Sequence, residues 1–279
     1  MKIVDTKAEL AVVIGQLRAK GLSIGLVPTM GALHNGHLSL VKQSRQKADV
    51  TVVSIFVNPT QFDNKEDLQN YPRPIDQDIL QLEQNGCDVL FMPEVAEMYE
   101  TGESWDYEVG DLDSKLEGEF RPGHYKGVTQ IVYKLFDAVK PDMAFFGQKD
   151  YQQYLVINKM VRDFSLPVNL VLCNIVREPD GLAMSSRNVR LNAEERKTSV
   201  VLYEALLFIK QHFYEYTFAE LQHKAEQLFD TNPLLQLEYI KICDLNTLEE
   251  INTKEAKNLI VLVACYVGNV RLIDNMILS

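Results

Sequence analysis

The sequence predicts an α/β protein in which a mostly parallel sheet is followed by a smaller α+β region. Short apolar runs rich in β-branched residues, such as 49–58, alternate with amphipathic segments, such as 76–86, through the first part of the chain. Runs that are apolar on both faces are typical of buried strands in a parallel sheet, and their alternation with helices indicates βαβ units. The last third instead has two helical segments followed by strands, two of which flank the tight-turn pair Gly268–Asn269.

The individual elements follow from the same patterns. In the first part, the predicted strands lie at 22–27, 49–58, 87–92, 143–147 and 168–176. The predicted helices there run from Leu38 to Lys47 and over 76–86, 125–139 and 150–163. In the last third we predict helices at 193–214 and 217–230 and strands at 237–244, 259–267 and 270–276. A boundary just after Val176 divides the chain into domains 1–176 and 177–279.

Charge and composition limit the classes of function. The net charge is −11, from 28 basic and 39 acidic residues. An acidic chain argues against broad binding of nucleic acid or anionic membranes, because both need a positive field. The apolar run 259–267 is too short to span a bilayer, and residues 1–14 lack the apolar core of a signal peptide. We therefore expect a soluble, cytoplasmic protein, and a small local basic pocket for a phosphate ligand is still compatible with this charge.

The cysteines carry no metal or redox signature. They are widely spaced, with no CxxC pair, at Cys87, Cys173, Cys243 and Cys265. Most lie in apolar stretches, so we expect reduced cysteines in the core.

The segment TMGALHNGHLSLV (29–41) follows a predicted strand and opens a predicted helix. Free backbone N–H groups and the helix dipole make such a turn an anion site. His34 and His37, three residues apart, would project together, and Gly31 and Gly36 allow a close approach of backbone and ligand. A zinc site is disfavoured, since neither HExxH nor nearby cysteines are present. The alternatives are an HxGH nucleotide site and two ordinary turn residues.

GQKDYQQ (147–153) follows strand 143–147, at a strand end where open α/β sheets bind ligands. Lys149 can contact phosphate, and Gln153 lies one helical turn further on. Asp150 can either cap the helix or contact a ribose hydroxyl. In MSSRN (184–188), hydroxyl groups and Arg187 suit a phosphate clamp, although a helix-capping loop explains the segment as well.

Two further segments carry polar side chains. Asn58 and Gln61, in FVNPTQF, are amides that suit a small hydroxy acid, while turn chemistry around a proline is the alternative. Arg121, His124 and Lys126 form a basic island in the acidic excursion 101–127. We expect this excursion to be a mobile loop or a cover over an anionic site.

Together, TMGALHNGH, FVNPTQF, YPR, RPGHYKGV, FFGQKDYQQ and DGLAMSSRN resemble, in this order and spacing, the pantoate–β-alanine ligases (pantothenate synthetases) from Leu26 to Asn188. The resemblance implies a Rossmann-like N-terminal domain, a smaller C-terminal lid domain and a homodimer. It implies that ATP and pantoate form pantoyl-adenylate and pyrophosphate, and that β-alanine then displaces AMP to give pantothenate. The family pattern commonly has glutamate at Gln148, phenylalanine at Tyr151 and small residues at Glu119–Phe120.

The resemblance and the chemistry of the residues together give a set of candidate site residues. The predicted ATP-binding residues are Met30, Gly31, Ala32, Leu33, His34, Asn35, Gly36, His37, Gly147, Gln148, Lys149, Asp150, Val176, Met184, Ser185, Ser186 and Arg187. The predicted residues for pantoate or β-alanine are Gln61, Gln153, Asn58, Pro28 and Arg121. The predicted catalytic set is His37, which matches the family's catalytic acid, with His34, Lys149 and Arg187.

Adenylation of a carboxylate needs charge neutralisation on the phosphates rather than a general base. We expect Mg²⁺ to be held mainly by phosphate oxygens and water, because the sequence has no evident carboxylate cage. Asp76 and Asp78 are candidates for an outer metal contact, and capping of their helix explains them equally.

Three other functions share part of this pattern. An HxGH adenylyltransferase acting on a phosphate ester would need no amine. A class I aminoacyl-tRNA synthetase fragment would need a basic tRNA-binding surface, which an acidic chain does not offer. A non-catalytic nucleotide sensor would not need His37, Lys149 and Arg187, all of which are present.

Overall fold

The structure is a computed structural model that describes residues 1–253 and 257–278. It divides into two compact units, Met1–Gly147 with Gln152–Asn174, and Gln148–Tyr151 with the described part of Ile175–Ser279. The chain changes unit two residues before the boundary that we place after Val176. The predicted second domain, 177–279, includes residues 254–256 and 279, which lie outside the described residues. We did not predict that Gln148–Tyr151 would belong to the second unit.

The first unit is built from alternating strands and helices. Its strands are β1 (Lys2–Val4), β2 (Ile24–Thr29), β3 (Val50–Ile55), β4 (Val89–Phe91), β5 (Met143–Gly147) and β6 (Asn169–Cys173). The helices along the same part of the chain are α1 (Lys7–Ala19), α2 (Asn35–Lys47), α3 (Lys65–Gln69), α4 (Ile75–Gln84), α5 (Val95–Met98), α6 (Glu117–Phe120), α7 (His124–Val139) and α8 (Tyr151–Asp163). Short 3₁₀ turns lie at Pro59–Gln61, Gly110–Asp113 and Gln148–Asp150.

The sheet of the first unit has the strand order β1-β4-β3-β2-β5-β6, and every neighbouring pair is parallel. The predicted parallel sheet is therefore confirmed. The chain moves from β2 outward through β3 and β4, and it later returns to place β5 on the other side of β2. This reversal of direction makes the carboxyl ends of β2 and β5 the topological switch point, where open α/β sheets bind ligands.

Local sequence explains where several elements differ from the prediction. β3 ends at Ile55, earlier than the predicted residue 58, because Asn58 caps a 3₁₀ turn that contains Pro59. The prediction did not include α1, although Thr6 and Glu9 form a capping box at its start. The unassigned segment between β3 and α4 holds the short helix α3, which Asn64 caps.

The second unit contains α9 (Ala193–Thr198), α10 (Val201–Gln211), α11 (Phe218–Glu226), β7 (Leu235–Asp244), β8 (Leu259–Val267) and β9 (Val270–Ile277). The strands form an antiparallel sheet in the order β7-β8-β9, and the predicted turn at Gly268–Asn269 joins β8 to β9. α10 and α11 pack against this sheet around a core that includes Leu206, Leu221 and Val263. The predicted smaller α+β region is confirmed, while the single helix predicted at 193–214 is two helices, α9 and α10.

All four cysteines are buried and reduced, as predicted for core positions. Burial raises the pKa of Cys87 and of Cys265 to about 12 and the pKa of Cys173 to about 11. Within residues 1–253 and 257–278, we find no helix with the length and apolar character that a membrane span requires.

Candidate active site

The HNGH turn joins β2 to α2 at the switch point of the sheet. His34 is the N-cap of α2, and its Nδ1 accepts a hydrogen bond from the Gly36 N–H at 3.1 Å. Because Nδ1 is the acceptor, the neutral ring carries its proton on Nε2 and can donate it. An N-cap histidine at the positive end of a helix can therefore present a donor to an anion.

His34 and His37 lie against each other at the start of α2. Their ring centroids are 4.1 Å apart and the ring planes are tilted by 38°. The spacing of three residues places both rings on the same side of the first helical turn, as the sequence predicts. Two adjacent imidazoles can contact neighbouring oxygens of one phosphate chain.

The backbone before the histidines has an unusual conformation that a buried carboxylate holds in place. Gly31 and Ala32 have φ angles of +76° and +49°. The side chain of Asp78, 0% exposed, accepts from Ala32 N–H through Oδ2 and from Leu33 N–H through Oδ1, both at 2.8 Å. Burial raises the pKa of the Asp78 carboxyl, and the two hydrogen bonds oppose that shift.

These contacts correct the expectation for Asp78. Its oxygens are directed at the backbone of another segment and its side chain has no exposed surface, so it is neither an outer metal contact nor a helix cap. The sequence did indicate this burial, because Asp78 lies four residues before Leu82 and this spacing places both side chains on the same buried face of α4. Asp76 is exposed in the first turn of α4, and its contact with a metal stays a prediction.

Asn58 and Gln61 follow β3, next to the HNGH turn. Asn58 Nδ2 donates to Gln61 Oε1 at 3.0 Å and to Gly127 O at 3.1 Å, and its Oδ1 accepts from Tyr99 Oη at 2.6 Å. Burial raises the pKa of Tyr99 to about 12, which keeps this hydroxyl a donor. Gln61 Nε2 donates to Met30 Sδ at 3.2 Å. Asn58 is 1% exposed and can orient Gln61 through their hydrogen bond, while its contact with pantoate or β-alanine stays a prediction.

The start of α7 packs directly on this segment. His124, a buried residue, places Nδ1 2.8 Å from the carbonyl oxygen of Gln61. A Cβ at Gly127 would collide with the Thr60 carbonyl and lie 2.7 Å from Gln61 N, so glycine is required for the close approach. These two contacts hold the backbone of Gln61 against the start of α7.

Carboxylates lie close to the predicted basic island and offset part of its charge. Arg121 lies 3.7 Å from an Asp63 oxygen and 3.9 Å from a Glu117 oxygen, and its Nη1 is 3.3 Å from His124 Nε2. Of the three basic residues, only Lys126 is exposed. The guanidinium of Arg121 is thus shared between two carboxylates, and its contact with pantoate stays a prediction.

The excursion 101–127 contains short helical segments and packs through its aromatic side chains. It contains the 3₁₀ turn at Gly110–Asp113, α6 and the start of α7. Trp105 donates from Nε1 to Thr129 Oγ1 at 3.0 Å, and its ring lies 5.1 Å from that of Tyr133 and 6.0 Å from that of Phe164. The excursion thus contains regular structure, and its role as a mobile loop or as a cover over an anionic site stays a prediction.

Within the second unit, Lys149 lies in the 3₁₀ turn Gln148–Asp150. Its side chain is 18% exposed, and its Nζ is 3.6 Å from an oxygen of Asp150, whose side chain is 49% exposed. The predicted ATP-binding residues Val176 and Met184 are paired, since Met184 N–H donates to Val176 O at 3.0 Å. They form the base of a tight hairpin, 176–184, that leads into MSSR.

Ser185 has the capping role that we considered for MSSR. Its Oγ accepts from Arg187 N–H at 3.2 Å and caps the 3₁₀ turn Ser186–Arg190. Asn188 Nδ2 donates to Ala183 O at 3.0 Å and closes the loop. Arg187 is half-buried, and its contact with phosphate stays a prediction.

The structure therefore places the predicted residues in two groups. The first unit brings together, at the carboxyl ends of β2, β3 and β5, the predicted residues Pro28, Met30, Gly31, Ala32, Leu33, His34, Asn35, Gly36, His37, Asn58, Gln61 and Gly147. Arg121 and Gln153 belong to the same unit, and Gln153 is half-buried near the start of α8. The second unit contains Gln148, Lys149, Asp150, Val176, Met184, Ser185, Ser186 and Arg187. In the part of the chain that the structure describes, no group of three or more metal-ligating side chains is present.

Comparison with known proteins identifies the family. The family model described as Pantoate-beta-alanine ligase matches residues 2–277. A pantothenate synthetase from Bacteroides thetaiotaomicron is 47% identical over 277 residues, with 99% of this chain and 98% of the relative covered. The crystal structure of pantothenate synthetase from Thermus thermophilus matches with a TM-score of 0.94 at 41% identity, with 99% of each chain covered.

A second solved structure adds a ligand complex. It is a pantoate-beta-alanine ligase from Francisella tularensis, complexed with beta-gamma ATP and beta-alanine. It matches with a TM-score of 0.83 at 36% identity and covers 99% of this chain and 97% of its own. The chain described here therefore belongs to the pantoate–β-alanine ligase family.

Proposed function

We propose that the protein is a ligase that uses ATP to join pantoate and β-alanine into pantothenate through a pantoyl-adenylate. The observation that carries this proposal is the family match over residues 2–277, which spans both compact units. The side chains that the chemistry requires are present in the matching segments, among them His34, His37, Lys149 and Arg187.

In the first step, a carboxylate oxygen of pantoate attacks the α-phosphorus of ATP. A new P–O bond forms, the bond from that phosphorus to the β-phosphate oxygen breaks, and pyrophosphate leaves. The carboxylate is ionised at neutral pH, so the enzyme must stabilise charge on the phosphates rather than remove a proton. His34 and His37 can donate ring N–H groups, Lys149 supplies a point charge and Arg187 a planar fork of donors.

The nucleotide substrate is MgATP, and Mg²⁺ neutralises part of the phosphate charge. We expect the ion to arrive with the phosphates and to retain water ligands. The residues of this chain then have to hold the nucleotide and orient the acid. Gln61, fixed by Asn58 and by its contact with Met30, is suited to binding the hydroxyl or carboxylate groups of pantoate.

In the second step, the neutral amine of β-alanine attacks the acyl carbon of pantoyl-adenylate. A C–N bond forms, the bond from the acyl carbon to the AMP oxygen breaks, and one proton leaves the nitrogen. An imidazole near the acyl group can accept that proton. Because acyl-adenylates hydrolyse, water must be excluded during this step.

The proposed function also assigns a role to each domain, an oligomeric state and a location in the cell. Residues 1–176 act as the ATP- and pantoate-binding domain and 177–279 as the lid domain. The protein is a homodimer of the cytoplasm. Light scattering after size-exclusion chromatography tests the dimer, because a mass of one 31.8 kDa chain would contradict it.

Isotope exchange tests the function. Labelled pyrophosphate should enter ATP only when pantoate is present, and net AMP release should require β-alanine as well. Exchange without pantoate, or exchange driven by an amino acid, would contradict the proposal and favour an adenylyltransferase or a synthetase fragment. Binding of ATP with no exchange under any condition would favour a nucleotide sensor.

A further inference from the structure

The last strand, β9, carries two buried polar residues outside the predicted site. Asp274 is 3% exposed and Asn275 is 1% exposed. Polar side chains at this depth are costly unless their hydrogen bonds are satisfied, so their partners indicate what they do. Both residues bond to segments that carry predicted ATP-binding residues of the same unit.

Asn275 holds the turn that carries Lys149. Its Nδ2 donates to the carbonyl oxygens of Gln148 at 2.8 Å and of Lys149 at 2.9 Å. Its Oδ1 accepts from Gln148 Nε2 at 3.1 Å. The side chain of Asn275 thus holds the backbone carbonyl groups of Gln148 and Lys149 and also the side chain of Gln148. The glutamine at position 148, where the family pattern commonly has glutamate, supplies the N–H that completes this set.

Asp274 holds the hairpin 176–184 through Arg177. The guanidinium of Arg177 donates to both oxygens of Asp274, at 2.5 and 3.0 Å, and also to Asn275 O at 3.2 Å. It donates further to Gly181 O at 3.0 Å, at the tip of the hairpin, and lies 4.6 Å from the ring centroid of Tyr203. A planar guanidinium group with this many partners has little freedom to move.

We propose that Asp274 and Asn275 are positioning residues for nucleotide binding: β9 fixes the Lys149 turn directly and the hairpin leading to Arg187 through Arg177. This inference deepens the proposed function, because it rests on the use of ATP by these two segments. Neither residue has to touch the nucleotide, since each acts through a backbone or a guanidinium that it holds. A role limited to the stability of the sheet is the competing explanation.

Titration calorimetry with MgATP alone separates these explanations without requiring turnover. Asn275→Asp keeps the size of the side chain but removes both donors to the Gln148 and Lys149 carbonyls. We expect the Kd for MgATP to rise about tenfold or more, which is the loss of affinity expected when an interaction as strong as about one hydrogen bond is removed. The matched control is Met276→Ala, which removes an apolar contact with the core from the same strand. It should lower the melting temperature and leave the Kd for MgATP within about twofold of wild type.

A double-mutant cycle tests whether Asn275 acts through the Lys149 turn. Lys149→Ala, Asn275→Asp and the double variant are compared for MgATP binding and for pantoate-dependent pyrophosphate exchange. If Asn275 positions Lys149, the double variant should be about as impaired as Lys149→Ala alone, because the position of a missing amine has no effect. Additive losses, or an unchanged Kd in Asn275→Asp, would overturn the inference.

The two proposals fail in different ways. If the wild-type protein binds MgATP but exchanges pyrophosphate with another acid, the proposed function fails and the role of β9 can still be measured by binding. If exchange depends on pantoate but Asn275→Asp binds MgATP normally, the function stands and Asn275 does not position the Lys149 turn for nucleotide binding. The melting curve shows whether Asn275→Asp is folded. If it is not, Asn275→Ser replaces it, because serine shortens the side chain and keeps one donor. We expect the same rise in the Kd for MgATP.

Discussion

Asp78 holds Ala32 in a left-handed conformation. The Ala32 N–H donates to Asp78 Oδ2 at 2.8 Å, and Ala32 has a φ angle of +49°. A residue with a Cβ adopts this conformation at a cost of about 1 kcal/mol or more, so the surrounding contacts must over-determine it. The histidines of the HNGH turn begin two residues later, so Asp78 holds the backbone that leads directly into α2.

We expect Asp78→Asn to impair the enzyme although its side chain keeps its shape. An amide has one oxygen, so either Ala32 N–H or Leu33 N–H would face an NH₂ group and lose its acceptor. A buried donor without a partner costs about 1–3 kcal/mol, and the variant should lose stability of this order. Because the turn moves as well, kcat/KM for ATP should fall about 10- to 100-fold.

The matched control for Asp78 is Glu83→Gln, which neutralises an exposed carboxylate on the same helix. Its kinetics and melting temperature should remain close to those of wild type. Normal kcat/KM in Asp78→Asn would show that the turn keeps its conformation without the carboxylate.

His37 and Lys149 should each contribute to the rate rather than to folding. If they stabilise charge on the phosphates in the transition state, His37→Ala and Lys149→Ala should each lower kcat by about 10²–10³. Steady-state kinetics and circular dichroism measure the two effects separately. His223→Ala and Lys42→Ala alter exposed residues of the same types and should keep the wild-type rate. Near-normal turnover in both site variants would identify His37 and Lys149 as ordinary turn residues.

Gly127 should determine the position of Gln61. In Gly127→Ala the new methyl group would meet the Thr60 carbonyl, which is rigid backbone and cannot rotate away. We expect the segment to shift and the KM for pantoate to rise about tenfold or more, with a smaller change in the KM for ATP. Gly15→Ala is the control, because a Cβ there would meet no described atom within 4 Å apart from its chain neighbours and its own helix backbone, and alanine favours helix α1. An unchanged KM for pantoate in Gly127→Ala would mean that this close contact does not position Gln61.

The parts of the fold that local patterns determine could be predicted from the sequence. β5 and β8 coincide with the predicted strands, and the position of His34 and His37 at the start of a helix follows from the strand–glycine–helix pattern. α1 could also have been predicted, because Thr6 and Glu9 form a capping box at its start, but we assigned no element to that segment. The break between α9 and α10 lacks a proline or glycine to mark it.

Contacts between distant segments could not be predicted in the same way. Asp78 lies 46 residues from Ala32, and Asn275 lies 127 residues from Gln148. Whether such residues meet depends on the order of strands and on how helices pack, and no local pattern encodes either. The sequence thus indicated side chains that can contact ligands, whereas the residues that hold them in place became visible only in the fold.

The buried thiols allow a last prediction about chemical reactivity. Burial raises the pKa of Cys173 to about 11 and of Cys87 and Cys265 to about 12, so at pH 8 the thiolate is about one part in a thousand or less of each. Cys243 is buried as well. We expect the native protein to react negligibly with an aromatic disulfide reagent that releases a chromophore, and the denatured protein to release four equivalents of that chromophore. Rapid reaction of one equivalent in the native protein would show that one of these cysteines is accessible, and mass spectrometry of the labelled peptide would identify it.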